Sequence, residues 1–318
     1  MYQGGSIVME MLRVVLPVIV MLAIGYICRE KNLISGDGIK GMQALVMNFT
    51  LPANLFLNFY KTRIESNTIT FPLTILLLVV LGIFTGKLFC RLFKEEDAVM
   101  PFMTTGYEVG MLGFALLAIL IGAENITTFA IMDIGHEIAI FTVYLVMLKA
   151  TNGEKQSVGA TIRDMLTTPV LMAIILGVIL GNTGIGGTIG ASSFGPVLDQ
   201  VCSFIAAPTS AVILVVIGYG LSFKDVKWLT IGKAIVIRLI QQTIMAAVVF
   251  GVYYKLGGVF WTRETIVSLI VFFILPPPYI IPLFTEKEER RIFYSSAISM
   301  YTILTIVGFI IVAGVLYL

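Results

Sequence analysis

Four ionisable residues lie in stretches otherwise too apolar to hold them. Glu108 sits in "PFMTTGYEVGMLGFALLAIL" (101–120), and Asp133, His136 and Glu137 in "MDIGHEIAIF" (132–141). A carboxylate in a bilayer core costs about 2.5–3.5 kcal/mol even on the lenient insertion scale, so such groups face protein or water rather than lipid. Glu108 has the chemistry to take up a proton, or to balance a bound cation when ionised. The plainer alternative is a structural carboxylate paired with arginine or backbone amides. Asp133, His136 and Glu137 follow i, i+3, i+4 spacing and share one helix face. His136 is the chain's only histidine. The trio reads either as a proton or ion relay or as a polar packing face. No metal site is expected, because one histidine and two acids on one helix make an incomplete ligand set.

A second constellation is "FFILPPPYIIPLF" (272–284), with Pro276, Pro277 and Pro278 in succession. Prolines remove N–H donors and clash with preceding carbonyls, so a helix breaks there. Lipid cannot satisfy the freed groups, and they are tolerated only against protein or a wet cavity. Unwound backbone and half-helix ends then offer amides, carbonyls and partial charges to a solute. Pro277 stands ten residues before Lys287, roughly 15 Å in at helical rise. Glu108, flanked by Gly106, Gly110 and Gly113, stands eleven residues after Asp97, roughly 16 Å in. Two interruptions at matching depth predict a polar site at the midplane built from Tyr107, Glu108, Gly110, Pro276, Pro277, Pro278 and Tyr279. A kink that only shapes packing is the alternative.

Smaller signals surround these. Asn48 and Thr50, just before Pro52, are candidates to line the cavity, as are Ser203 and Thr209 beside Pro208. Asn54 and Asn58 share a face and suit either helix adhesion or a cavity wall. Arg238, with Gln241 and Gln242, could attract an anion, but snorkelling toward the cytoplasmic face is the favoured reading. The stretch "GNTGIGGTIG" (181–190) lacks a P-loop lysine and reads as a flexible outer turn.

The elements that position these residues must be membrane helices. The 318 residues are 58% hydrophobic and 13% charged, with mean hydropathy +0.98. Soluble domains do not have this composition. Apolar runs recur near 7–28, 40–60, 71–93, 98–122, 126–149, 162–183, 194–221, 229–254, 264–285 and 292–317, which predicts ten spans. Of the 21 lysines and arginines, Lys61, Arg63, Lys255 and Arg263 fall on one side, Arg13 and Arg238 fall within spans, and the remaining fifteen fall on the other side. By the positive-inside rule the odd-numbered loops are cytoplasmic and both termini are outside. The first span follows no basic region and is full length, so it is not read as a cleaved signal. Cys28, Cys90 and Cys202 are isolated and odd in number, which points away from disulfides and structural zinc. The net charge of +2 comes from helix ends and offers no surface for nucleic acid.

The longest cytoplasmic connection divides the chain into residues 1–149, a linker at 150–161, and residues 162–318. Five spans on each side is an odd number, so structural repeats would be inverted with respect to each other. Pro52 and Pro208 fall at equivalent places, each in the second helix of its half. The expected fold is therefore an all-α polytopic membrane protein with a 5+5 inverted repeat and broken helices 4 and 9, a recurring plan of secondary transporters.

At these residues the chain resembles the auxin efflux carrier family, including its bacterial malate- or malonate-permease-like branch. "GYICREKNLISGDGIKGMQALVMNFTLPANLF" (25–56) resembles the family's first cytoplasmic turn and second helix, with Asn48 and Pro52 in an N-x3-P signature. "GYEVGMLGFAL" (106–116) resembles its span-4 stretch, and "MDIGHEIAIF" its fifth helix. The resemblance covers essentially the whole chain. It implies ten helices arranged as in sodium/proton antiporters and bile-acid symporters, helices 4 and 9 crossing at the substrate site, and an organic carboxylate as cargo. The chain departs from the family pattern in three places. Glu108 stands where an asparagine is usual, Ala115 where a proline is usual, and Pro278 and Tyr279 where an asparagine often follows the span-9 proline.

The resulting expectation is a secondary active transporter of a small organic anion in the plasma membrane, working by alternating access and coupled to H+ or Na+. The alternative is a cation/proton antiporter of the same architecture, using Glu108 with Asp133 or Glu137. No HExxH, Ser/Lys pair or paired intramembrane aspartates suggest an enzyme, and no cofactor is expected. The expected partners are the lipid bilayer and the small anion, with a homodimer left open and no nucleic acid.

Overall fold

The computed structural model describes residues 3–63, 66–151, 159, 166–221, 228–284 and 288–317. Lys155, Arg163, Lys224, Lys227 and Lys287, which contribute to the charge asymmetry, lie outside the described residues, as does most of the 150–161 linker. Among the described residues every regular element is helical. In chain order these are α1 (Gln3–Glu30), α2 (Gly36–Leu45), α3 (Leu51–Phe59), α4 (Thr70–Leu92), α5 (Met100–Met103), α6 (Phe114–Ile121), α7 (Thr127–Ala139), α8 (Leu145–Ala150), α9 (Pro169–Thr183), α10 (Ile185–Ala191), α11 (Gly195–Ala206), α12 (Thr209–Gly220), α13 (Trp228–Leu256), α14 (Arg263–Ile274) and α15 (Glu288–Tyr317).

Five continuous helical stretches among the described residues are long and apolar enough to cross a bilayer: Thr70–Leu92, Thr127–Ala150, Gly195–Gly220, Trp228–Leu256 and Arg290–Leu316. A sixth is α9 with α10, if a pair bent by 83° counts as one span. The lipid-facing pattern is clear on α4. Leu73, Leu77, Leu81, Phe84 and Leu88 are exposed, while Ile75, Val79, Ile83 and Cys90 on the other face are buried. An apolar stripe turned outward is stable only in a hydrocarbon solvent.

Prolines set most of the interruptions. Pro52, near the start of α3, cannot donate to the preceding turn, and the chain passes through a π-helical turn at Val46–Thr50. Pro208 likewise separates α11 from α12. Pro169 opens α9 behind Thr168, whose hydroxyl accepts from the Leu171 N–H at 3.4 Å. Leu275 ends α14 in an extended conformation (φ −61°, ψ 149°), as the residue before a proline must.

The glycine-rich stretch at 181–190 does turn, but the turn is a single bend between two helices. Helix α9 continues to Thr183, and α10 follows directly. Gly184, at φ +78°, makes the 83° bend between them, and Gly186 permits close packing, since a Cβ there would stand 1.6 Å from the Tyr60 carbonyl oxygen.

The core is formed where helices from the two ends of the chain meet. α1 packs chiefly on α12, and α9 chiefly on α3. The α1–α12 contact is a backbone approach: a Cβ on Gly25 would lie 2.1 Å from Val215 O, and one on Gly218 would lie 2.1 Å from Leu22 O. Small residues at such faces let helices associate without a hydrophobic driving force. Of these helices, α12 also packs on α6 and on the turn that leads into it.

Candidate site at the crossing of the interrupted helices

The chain leaves helical geometry after Met103 and re-enters it at Val109. Gly106, at φ +71°, makes the turn that an L side chain would resist. On the other stretch, Pro276–Pro278 follow α14 without regular structure. The two lengths of unwound backbone are hydrogen-bonded to each other. The Glu108 N–H donates to Pro276 O at 2.9 Å, and the Tyr279 N–H donates to Glu108 Oε2 at 2.6 Å. Glu108 Oε1 also accepts from the Met111 N–H at 3.4 Å, capping the N-terminal end of the turn that leads into α6. A carboxylate there meets both a free donor and the positive end of the helix dipole.

The same pattern occurs at both breaks. In an unbroken helix, Met103 O would receive the Tyr107 N–H and Leu275 O would receive the Tyr279 N–H. Instead the Tyr107 N–H donates to His136 Nε2 at 3.2 Å, and the Tyr279 N–H goes to Glu108. The two vacated carbonyls are taken by Arg238, which donates to Met103 O at 3.3 Å and Leu275 O at 2.8 Å, and also to Gly106 O at 2.9 Å. Arg238 is 4% exposed. This corrects the snorkelling expectation: the guanidinium is held inside because three freed carbonyls need donors there. Gln242 donates to Thr104 O at 3.0 Å and accepts from the Tyr107 hydroxyl at 2.8 Å, while Gln241 donates to Gly82 O at 2.8 Å. Buried polar backbone that lipid cannot reach is thus satisfied by side chains of α13.

Asp133, His136 and Glu137 on α7 adjoin this network. Because His136 Nε2 accepts a backbone N–H, the ring proton lies on Nδ1, 3.1 Å from Asp133 Oδ1 and 3.8 Å from Glu137 Oε1. One ligand atom from each of the three falls within 4.8 Å of the others. Both ring nitrogens are already engaged, so the imidazole can hold a proton between two acids more readily than it can turn to a metal.

The predicted residues separate into groups. Tyr107, Glu108, Pro276, Pro277, Pro278, Tyr279, Asp133, His136 and Glu137 belong to one connected cluster. Tyr107 and the three prolines are buried, and Tyr279 is half-buried. A cavity of about 260 Å³ reaches Tyr279 and Met111, and its other walls include Gln43, Ser295, Ser299 and Thr302. The Tyr279 hydroxyl lies 3.0 Å from Thr302 Oγ1 there. Gly110 is half-buried beside this region, with Met47 Cε 4.0 Å from where its Cβ would be. Thr50 is buried with its hydroxyl unpartnered, whereas Asn48 is exposed on the outside of the same turn. Ser203 and Thr209 are elsewhere: with Asn54, Asn58 and Ser210 they line a separate cavity of about 410 Å³ toward the opposite end of the helices.

The sequence named Arg238, Gln241 and Gln242 but did not assign them to the crossing. A usable signal existed, since all three fall on the stripe of α13 that carries buried Ile231, Ala234, Met245 and Val249. Tyr301, Thr302 and Thr305 on α15 went unnoticed. Thr305 donates to Ile274 O at 2.6 Å, satisfying another carbonyl at the α14 break.

A family model described as "Membrane transport protein" matches residues 10–317. The chain belongs to that family, the auxin efflux carriers. Curated relatives of this carrier family member include the "Uncharacterized transporter YfdV" of Escherichia coli (strain K12), 28% identical over 182 residues. The proteins of the same description from Escherichia coli O157:H7 and Shigella flexneri match equally. The alignment takes in 54% of this chain and 58% of the relative, so the match spans little more than half of each. Family and relatives alike are membrane transporters rather than enzymes.

Proposed function

We propose that this auxin efflux carrier family member is a secondary active transporter that moves a small organic anion, a carboxylate, by alternating access coupled to H+ or Na+. The observation that carries this reading is the direct pairing of two unwound segments, Glu108 N–H to Pro276 O and Tyr279 N–H to the Glu108 carboxylate, beside a cavity. Breaks of this kind weaken a membrane helix and persist where they serve a solute. The cavity at Tyr279 reaches the crossing, and a separate cavity at Asn58 and Thr209 lies toward the opposite end of the helices, a pair that access from alternate sides would use.

The proposed architecture is a 5+5 inverted repeat of residues 1–149 and 162–318, with the broken helices as its fourth and ninth spans. The reciprocal packing supports it: the first helix of each half lies on the second-span helix of the other, α1 on α12 and α9 on α3. The charge asymmetry supports a multi-pass plasma-membrane protein with both termini outside.

A second reading, a cation/proton antiporter, draws support from two features. Glu108 itself fills the anion-favouring helix end, and Asp133, His136 and Glu137 form a compact acidic group. Uptake by proteoliposomes separates the two. Proton or sodium flux stimulated by carboxylates supports the anion carrier. Cation-driven proton flux without carboxylate supports the antiporter, and absence of both contradicts the transporter reading altogether.

A further inference from the structure

The terminal carbonyls of α14 and of the single-turn α5 converge at the crossing. α5 ends at Met103 and α14 at Ile274, so the carbonyls of Met103 and Leu275 lack the partner one turn on, and Gly106 O is freed by the turn between them. Unwound carbonyls and half-helix C-termini are the groups that hold monovalent cations at the centre of broken-helix carriers. Here three of them lie 2.8–3.3 Å from the guanidinium nitrogens of one side chain.

The guanidinium carbon of Arg238 sits 5.6 Å from the centroid of the Tyr107 ring and 5.7 Å from that of Tyr301, which fixes it from two sides. Among the described residues no carboxylate approaches within ion-pair distance of it. Its charge is therefore balanced by backbone carbonyl dipoles. We infer that Arg238 is a built-in cation occupying a monovalent-cation site made by the carbonyls of Met103, Gly106 and Leu275, so that transport requires no sodium ion at the crossing. The inference rests on the carrier reading for its meaning, and it narrows the coupling ion that reading leaves open. The occupied site itself follows from the geometry alone.

The test is the melting temperature of the purified full chain in sodium chloride and in choline chloride at equal ionic strength. The natural protein should melt at the same temperature in both. Arg238→Ala should melt lower in choline and recover by about 2 °C or more in sodium, because a ligand of the folded state stabilises it by mass action. Arg238→Gln, whose amide serves a single carbonyl, should show a smaller shift in the same direction. A saturable sodium-specific rise in the natural protein overturns the inference, as do variants that melt identically in both salts. If neither variant folds, a sodium-specific rise in the natural protein still overturns the inference. No cargo is needed, so failure here leaves the anion-carrier reading standing, and a failed uptake assay leaves this result readable.

Discussion

The Tyr279 N–H and the Glu108 carboxylate meet at 2.6 Å, across 171 positions of chain, and this contact ties the two unwound segments together. Glu108 also returns a bond through its own N–H to Pro276 O at 2.9 Å. One residue thus closes the crossing with both its backbone and its side chain, at the point the cavity approaches through Tyr279 and Met111.

Glu108→Gln keeps the size of the side chain and one acceptor oxygen but loses the ionisable group. One of the Met111 and Tyr279 N–H groups then faces an amide NH2, so the melting temperature should drop while the protein still expresses, and coupled uptake in proteoliposomes should fall by at least about tenfold, equivalent to about 1.4 kcal/mol of added barrier. Uptake that stays normal and pH-driven in this variant removes Glu108 from the mechanism.

His136 acts on the crossing through the Tyr107 N–H. His136→Ala leaves that buried donor unpaired, at a cost of about 1–3 kcal/mol, and should lower both the melting temperature and uptake. His136→Gln offers a carbonyl oxygen in the same region and should restore part of the stability. Equal melting of the alanine and glutamine variants would show that the acceptor is not what matters.

The α1–α12 contact predicts a packing defect that is independent of transport chemistry. Gly25→Leu places a branched side chain against Val215 O and Tyr219 N, where backbone rather than a flexible side chain must yield. The loss should reach the upper end of the about 1–3 kcal/mol typical of overpacking. Leu at Gly232, where a Cβ meets nothing within 4 Å, is the matched control and should be neutral.

Beyond the end of α3, Lys61 Nζ pairs with Asp199 Oδ2 at 2.6 Å, and the Tyr60 hydroxyl donates to Asp199 as well. The hydrogen bond to Asp199 raises the Lys61 pKa above its ordinary value of 10.5. A lysine raised on folding contributes stability that is complete below its unfolded pKa and is lost as pH climbs through the folded one. Melting temperature should therefore fall at strongly alkaline pH, and Lys61→Ala should flatten that fall. An unchanged alkaline slope in Lys61→Ala would show that the ion pair is too solvated to matter.

The helical, membrane-spanning character of the fold was legible because it is written in composition and run length, which act over twenty residues at a time. The positions of the breaks were also legible, since Pro276–Pro278 and the glycines around Glu108 act locally. The role of Arg238 was not. It lies as deep in α13 as Pro277 lies in its own span, yet only the three-dimensional convergence of Met103 O, Gly106 O and Leu275 O shows what holds it inside. Asn48 and Asn54 show the same limit from the other side. Both were candidates for a polar interior, yet Asn48, in the π-helical turn at Val46–Thr50, is exposed, while Asn54 beyond it lines a cavity. One extra residue in a turn cannot be read from side-chain periodicity, and it reassigns every face beyond it.

The central claim is that cargo binds where the unwound segments cross. A density map of the protein saturated with a transported carboxylate tests it most directly. The expected result is cargo in contact with Tyr279 and Met111, with both helices interrupted at Glu108 and Pro277. Cargo bound only between Asn58 and Thr209, or helices running unbroken through Glu108 and Pro277, would contradict the account.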